Sequence, residues 1–231
     1  THAAQGYSRV SGKPGVVFAT SGPGATNLIT GIADAQIDST PLVCITGQVH
    51  SHLLGTDAFQ ETDVVGISMP VTKWNIQITK AEDIAPAIAK AFYIATSGRP
   101  GPVLVDITKD AQFGKTTYKY EKCESIRSYF PCPKVNEEEV LKAAELINNA
   151  QRPYILCGHG VLLSGAEKQL LDLAEKANIP VASTLLGLGA FSPTHELYVG
   201  YLGMHGNYGP NLLTNECDVL IAIGMRFDDR V

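Results

Sequence analysis

Ala19-Thr-Ser-Gly-Pro-Gly-Ala-Thr-Asn27 decides how the chain folds. Val16–Ala19 before it is a short β-branched and apolar run, the pattern of a buried strand. Ser21-Gly-Pro-Gly24 is a turn that only glycine-rich backbone can make. Behind the turn Leu28, Ile32 and Ala35 recur at helical spacing, with Ile29, Ala33 and Ile37 widening the same face. Strand, glycine turn and helix place free backbone N–H groups at the carboxyl edge of a sheet, where α/β folds bind ligands. The dinucleotide fingerprint is not complete, because Asn27 stands where its third glycine belongs. By itself the stretch fits a ligand edge or a tight structural turn equally.

The 231 residues suit one large domain or two small ones. At 45% hydrophobic residues the chain can build a core, and its net charge of −5 comes from interspersed signs. No basic stripe argues for nucleic acid. No apolar run reaches the ~20 residues of a membrane span, and no signal peptide opens the sequence. Cys44, Cys123, Cys132, Cys157 and Cys217 lack metal-ligand spacing, so no metal site is expected on them, and they fit reduced thiols of a cytoplasmic protein. Thr1 is followed by what reads as a helix in progress, and Val231 by no closing element. The expectation is a piece of a longer protein.

The α/β rhythm continues outward. Leu42–Ile45 is a second buried strand ending at Gly47, followed by a long loop, Gln48–Gly66. Thr79 and Glu82 are placed to cap a helix over Ala81–Thr96. Val103–Ile107 is a third strand. From Phe113 to Lys134 the pattern dissolves into Thr, Tyr, Lys, Glu and Pro, the composition of a linker. Beyond it Asn136 and Glu139 cap a helix to about Asn149. Tyr154–Cys157, Val181–Thr184 and Val219–Ile223 are strands. Ser164 and Glu167 are placed to cap the helix that ends near Asn178. Leu186–Gly209 is too long for a mere connector. The fold class is α/β, with two doubly wound, mostly parallel sheets. The expected division is 1–113, a linker at 114–134, and 135–231.

Ser21-Gly-Pro-Gly-Ala-Thr-Asn27, Gly47-Gln48, Gly55-Thr-Asp-Ala-Phe-Gln-Glu61, Lys73-Trp-Asn75, Ser97-Gly-Arg-Pro-Gly-Pro-Val-Leu-Val-Asp106, Leu202-Gly-Met-His-Gly206 and Arg226-Phe-Asp-Asp-Arg230 occur in this order. Together they resemble the large catalytic subunit of acetolactate synthase, a thiamine-diphosphate enzyme of branched-chain amino-acid synthesis. The resemblance implies that 1–113 is most of a pyrimidine-binding domain and 135–231 the first part of a central, FAD-associated domain. It places the family's catalytic glutamate before Thr1, and the domain that grips the diphosphate through Mg2+ beyond Val231. It implies condensation of pyruvate with a second 2-oxo acid, pyruvate or 2-oxobutyrate, with loss of CO2. It also implies a homodimer or larger assembly and a small regulatory subunit. The 231 residues alone are expected to be inactive and to hold FAD weakly or not at all.

Residue by residue, the resemblance puts Gln60 near the aminopyrimidine and substrate, with Phe59 as an apolar wall. Lys109 and Arg230 match substrate-channel cations, and Arg99 matches an arginine that contacts FAD. Gly158 and Gly160 would let backbone approach FAD. Thr184, Leu185, Leu202, Gly203, Met204, His205, Gly224, Arg226 and Asp228 match FAD-lining segments. Taken without the resemblance, Gln60 is a loop amide, Arg99 a helix C-terminal cation and Met204 a core filler. The sequence departs from the family at His50, where many relatives carry proline, at Met225, often alanine, and at His159, within a turn often all glycine. Glyoxylate carboligase and other thiamine-diphosphate enzymes share the architecture, and a non-catalytic nucleotide-binding module is the alternative from another class.

Overall fold

A computed structural model describes all 231 residues, Thr1–Val231, which divide into two units, Thr1–Lys134 and Val135–Val231. The first runs α1 (His2–Ser11), β1 (Gly15–Ala19), α2 (Pro23–Thr26), α3 (Ile29–Ile37), β2 (Leu42–Gln48), α4 (Val64–Ser68), β3 (Trp74–Ile78), α5 (Ile84–Thr96), β4 (Pro102–Thr108) and α6 (Lys109–Phe113). Its four strands lie in the order β1-β2-β4-β3, all parallel. Side chains alternate between the faces of the sheet. Val43, Val103 and Val105 pack under α5 with Ala87, Ala91 and Ile94, while Leu42, Cys44 and Leu104 pack under α3 with Leu28, Ile32 and Ala35. Both faces are therefore covered, as a parallel sheet requires.

The second unit runs α7 (Glu137–Asn149), β5 (Pro153–Cys157), α8 (His159–Ser164), α9 (Glu167–Ala177), β6 (Val181–Ser183), β7 (Tyr198–Tyr201), α10 (Tyr208–Glu216) and β8 (Val219–Ile223). Its strands are ordered β7-β6-β5-β8, again all parallel. Ile155, Cys157 and Val181 meet Leu170, Ala174 and Ile179 on one face, and Tyr154, Leu156 and Ala182 meet Leu202 on the other. Burial pushes the Cys44 thiol up to about 12 and the Cys157 thiol up to about 11, so neither is a nucleophile at neutral pH.

Several local expectations change. The Asn136 side chain does cap α7, accepting from the N–H of Glu138 and Glu139. Thr79 and Glu82 form no such box. A 3-10 turn, Ala81–Asp83, intervenes and α5 starts after it without a side-chain cap. Ser164 belongs to the end of α8, where its hydroxyl donates to the Gly160 carbonyl, and α9 starts at Glu167 after Ala166, with no side-chain cap. The sequence pattern does not reveal β3, β7 or α10. Residues 114–134 are mostly exposed, with Ile126 and Tyr129 packed on the first unit. The Tyr129 ring meets Tyr93 edge-on at 6.1 Å, and its hydroxyl donates to the Ser97 carbonyl. Lys73 joins them, its ammonium donating to the Ser97 carbonyl and to the Tyr129 hydroxyl at the end of α5.

A candidate cofactor edge on each sheet

In the first unit β1 runs into the turn that opens the sequence. Gly22 has φ 60° and ψ −121°, a region open only to glycine. A Cβ on Gly22 would lie 2.7 Å from the Gln60 carbonyl oxygen, so the turn and the loop after β2 touch backbone to backbone. Gln60 itself has φ 60°, left-handed and uncommon for a side-chain-bearing residue. Strain of this kind clusters at functional sites, where the surroundings hold it in place. Phe59 beside it is 87% exposed, an aromatic ring held in the open at the carboxyl edge of the sheet.

The loop is shaped from within. The Glu61 carboxylate accepts the N–H groups of Gly55, Thr56 and Ala58, and these bonds hold its carboxyl below the usual range. Asp63 caps α4 through the Gly66 N–H at 2.8 Å. At the loop's start, Ser51 is held by Asp110, whose carboxylate accepts its N–H at 2.9 Å and its hydroxyl at 2.5 Å, bonds that lower the Asp110 pKa. Lys109, the last of the first unit's candidates at this edge, is exposed, and its backbone N–H donates to the Val49 carbonyl.

Sequence reasoning missed what lies beneath the loop. Asp106 is fully buried on β4. It pairs in register with Thr46 on β2 and Gln77 on β3. Its carboxylate accepts from the Thr46 hydroxyl at 2.6 Å, Gln77 Nε2 at 3.0 Å and Gln48 Nε2 at 3.1 Å. Burial raises its pKa, and the three donors oppose that rise. The signal was legible: an aspartate within Val103-Leu-Val-Asp-Ile107 must have buried partners.

Arg99 is not at this edge. It precedes β4, at the amino end of the strands, where its guanidinium donates to Ser39 Oγ at 2.7 Å and to the Ile37 carbonyl at 3.0 Å. It closes the C-terminus of α3, the role a cation at that position plays by default.

In the second unit the candidates converge on one edge. Gly158 and Gly160 follow β5, Thr184 and Leu185 follow β6, Leu202–His205 follow β7, and Gly224, Arg226, Asp228 and Arg230 follow β8. The glycines serve each other. A Cβ on Gly158 would lie 2.6 Å from the Gly224 oxygen and the Met225 Cα, and one on Gly160 would lie 2.7 Å from the Gly224 Cα. The Gly160 N–H donates to the Gly224 carbonyl at 2.7 Å. The Thr184 hydroxyl accepts from the Gly187 N–H at 3.1 Å, and the Thr184 N–H donates to the Cys157 carbonyl. Met204 and Arg230 join the outer two loops through Met204 N–H to the Arg230 carbonyl at 2.8 Å. Arg226 pairs with Asp228 at 2.8 Å. Leu185 and Met204 stand exposed at 68% and 58%, so Met204 is not a core filler. Leu202 is the exception, with its side chain in the core, and it can offer a ligand only backbone.

A groove of about 740 Å3 lies elsewhere, between α5 and the segment carrying Tyr118 and Tyr120, and contains none of these residues. No group of three His, Cys, Asp or Glu side chains converges to hold a metal ion.

Two parallel sheets, each flanked by helices, define a class by fold. The model of the thiamine pyrophosphate enzyme N-terminal TPP binding domain matches residues 1–67, and that of the thiamine pyrophosphate enzyme central domain matches residues 140–231. The chain belongs to the thiamine pyrophosphate enzyme family. Within it, the acetolactate synthase large subunit of Buchnera aphidicola is 50% identical over all of this chain and 41% of its own length. That of Corynebacterium glutamicum is 50% identical over all of this chain and 37% of its own. The chain spans about two fifths of the length of these curated relatives. A solved structure from Mycobacterium smegmatis, described as a thiamin diphosphate-dependent enzyme, superimposes with a TM-score of 0.82 at 27% identity, over 96% of this chain and 43% of that one.

Proposed function

We propose that this chain forms walls of an acetolactate synthase active site, in which pyruvate loses CO2 and its remaining two-carbon unit joins a second 2-oxo acid, pyruvate or 2-oxobutyrate. The observation that carries this reading is the left-handed Gln60 seated on Gly22 at the carboxyl edge, with Phe59 open beside it. Half-identity to acetolactate synthase large subunits over the whole chain supports it.

Thiamine diphosphate, when bound, supplies the carbanion-stabilising chemistry. The chain's own residues bind and orient. The Gln60 amide can both donate and accept at the reacting edge without adding charge. Phe59 supplies an apolar surface that excludes water. Lys109 and Arg230 offer cations to the carboxylate of a 2-oxo acid. At the second sheet's edge, Leu185 and Met204 give apolar surface and Arg226 a guanidinium, a donor set that fits FAD. The Thr184, Gly203, His205 and Gly224 segments would frame it. Arg99, occupied with α3, would contact FAD only by giving up those bonds.

The parent assembly is a homodimer or larger, with a small regulatory subunit, in the cytoplasm. Five free cysteines are compatible with that compartment, and no helix is long and apolar enough to cross a membrane. The 231 residues alone, about two fifths of the length of those relatives, are expected to show negligible synthase activity and little bound FAD.

Product analysis with the whole enzyme tests the reading. Acetolactate from pyruvate is expected, and tartronate semialdehyde from glyoxylate would replace it with the carboligase alternative. Gln60→Ala is expected to lower kcat/KM by about 100-fold, in the range set by removing a positioned polar group. A loss of less than about threefold would remove Gln60 from the site.

A further inference from the structure

The loop that carries Phe59 and Gln60 has two roots. One leaves β2 at Gln48, and the other re-enters the unit at Thr62, just before α4. Gln48 joins them. Its side-chain nitrogen donates to the Thr62 carbonyl at 2.8 Å and to the Asp106 carboxylate at 3.1 Å, while its oxygen accepts the Val49 N–H at 2.9 Å. Every hydrogen-bonding group of that amide except one oxygen lone pair is used. A carboxylate can only accept, so Asp106 dictates which way the Gln48 amide faces. With the nitrogen turned to Asp106, its second hydrogen reaches Thr62. Thr62 follows Glu61, whose carboxylate gathers the N–H groups of Gly55, Thr56 and Ala58. The buried charge is thus linked to the exposed tip through one side chain and one carboxylate-centred turn.

We propose that Asp106 is a positioning residue for Phe59 and Gln60, acting through Gln48 on the Thr62 root of their loop. This rests on the reading of Gln60 given above for its catalytic consequence, but not for the mechanical linkage. Gln77 supplies the internal contrast. It donates to the same Asp106 oxygen as Gln48 but makes no bond to the loop. A role confined to folding would treat the two glutamines alike, whereas a tether separates them.

The test uses Asp106→Asn, Gln48→Met and Gln77→Met. Amide hydrogen exchange across 50–62 and chymotryptic cleavage at Phe59 are read against exchange in β2 and β4 as an internal standard. Asp106→Asn and Gln48→Met are expected to speed loop exchange and cleavage about tenfold relative to that standard, and Gln77→Met less than twofold. In the whole enzyme the first two are expected to lower kcat with KM changed less than twofold. Unchanged loop protection in Gln48→Met, or an equal effect of Gln77→Met, overturns the proposal, even if Asp106→Asn fails to fold. A loosened loop with unchanged kcat upholds the tether and instead removes Gln60 from the reaction.

Discussion

The two sheets end in similar edges built by opposite means. The first closes its edge with side chains: a buried carboxylate gathers donors from both strands that flank β4, and one amide carries that order into the loop above. The second closes its edge with backbone, as Gly158, Gly160 and Gly224 lie so close that no Cβ fits between them. The first edge is therefore vulnerable to loss of charge or hydrogen bonding, and at Gly22 to added volume as well, whereas the second is vulnerable chiefly to added volume. A loop held by a few directional bonds can also move when they break, whereas packed glycine turns hold the edge rigid.

Removing the Asp106 carboxylate should give the largest effect. Asp106→Ala leaves three buried donors without their acceptor and is expected to cost the first unit about 4 kcal/mol, at about 1–3 kcal/mol per orphaned group with partial relief by water. Trp74 on β3 is the protein's one tryptophan, so its fluorescence in a urea titration follows this unit. A loss under about 1 kcal/mol would mean that the network is not what organises the first edge.

Volume should matter next, and on the other sheet. Gly158→Ala is expected to cost about 3 kcal/mol, the upper range for overpacking against backbone that cannot retreat. Hydrogen exchange of β5 and β6 amides reads it. Gly209→Ala sharpens the contrast: Gly209 lies in α10 with open space around its Cα, and alanine should be neutral or stabilising by up to about 1 kcal/mol. Equal costs at 158 and 209 would break the distinction between packed and free glycines. A smaller effect lies away from both edges, at the cap of α7. Asn136→Ala is expected to cost about 1 kcal/mol, seen as increased exchange at the Glu138 and Glu139 amides.

Acid provides the mildest separation. Asp218 accepts the N–H groups of Gln151 and Arg152, which hold its carboxyl below its ordinary value of 3.8. Such a group adds stability above its unfolded pKa and loses it as pH falls through the folded value. Asp106 has the opposite sign. Its raised pKa gives a contribution fully present below 3.8 that is lost as pH rises through the folded value. Asp218→Asn should therefore flatten the acid decline of the second unit below about pH 4, measured as melting temperature against pH. An unchanged slope would assign that decline to other carboxylates.

Local pattern alone located the glycine turns, the apolar strands β1, β2, β4, β5, β6 and β8, and the Asn136 cap, because each depends on residues within a few positions of one another. It also ordered the motifs that carry the likeness to acetolactate synthase. It did not find β3, where Asn75 and Gln77 interrupt the apolar run. Asn75 donates to the Val65 carbonyl, and Gln77 serves Asp106 across the sheet. Nor did it find β7 within the long loop read over Leu186–Gly209, or α10 after it. Spacing could not separate Arg99, held at the end of α3, from the candidates that gather at the carboxyl edges. It could not say that Leu202 turns inward while Met204 stands out.

Hydrophobic period and glycine placement are local properties, and they are enough to write down the alternation of strand, turn and helix. Which distant polar groups satisfy one another follows from how the strands are ordered and registered, not from local pattern. Thr46, Gln48, Gln77 and Asp106 come together because strand order and register place them on adjacent strands, and a buried carboxylate tolerates no other arrangement than one that surrounds it with donors.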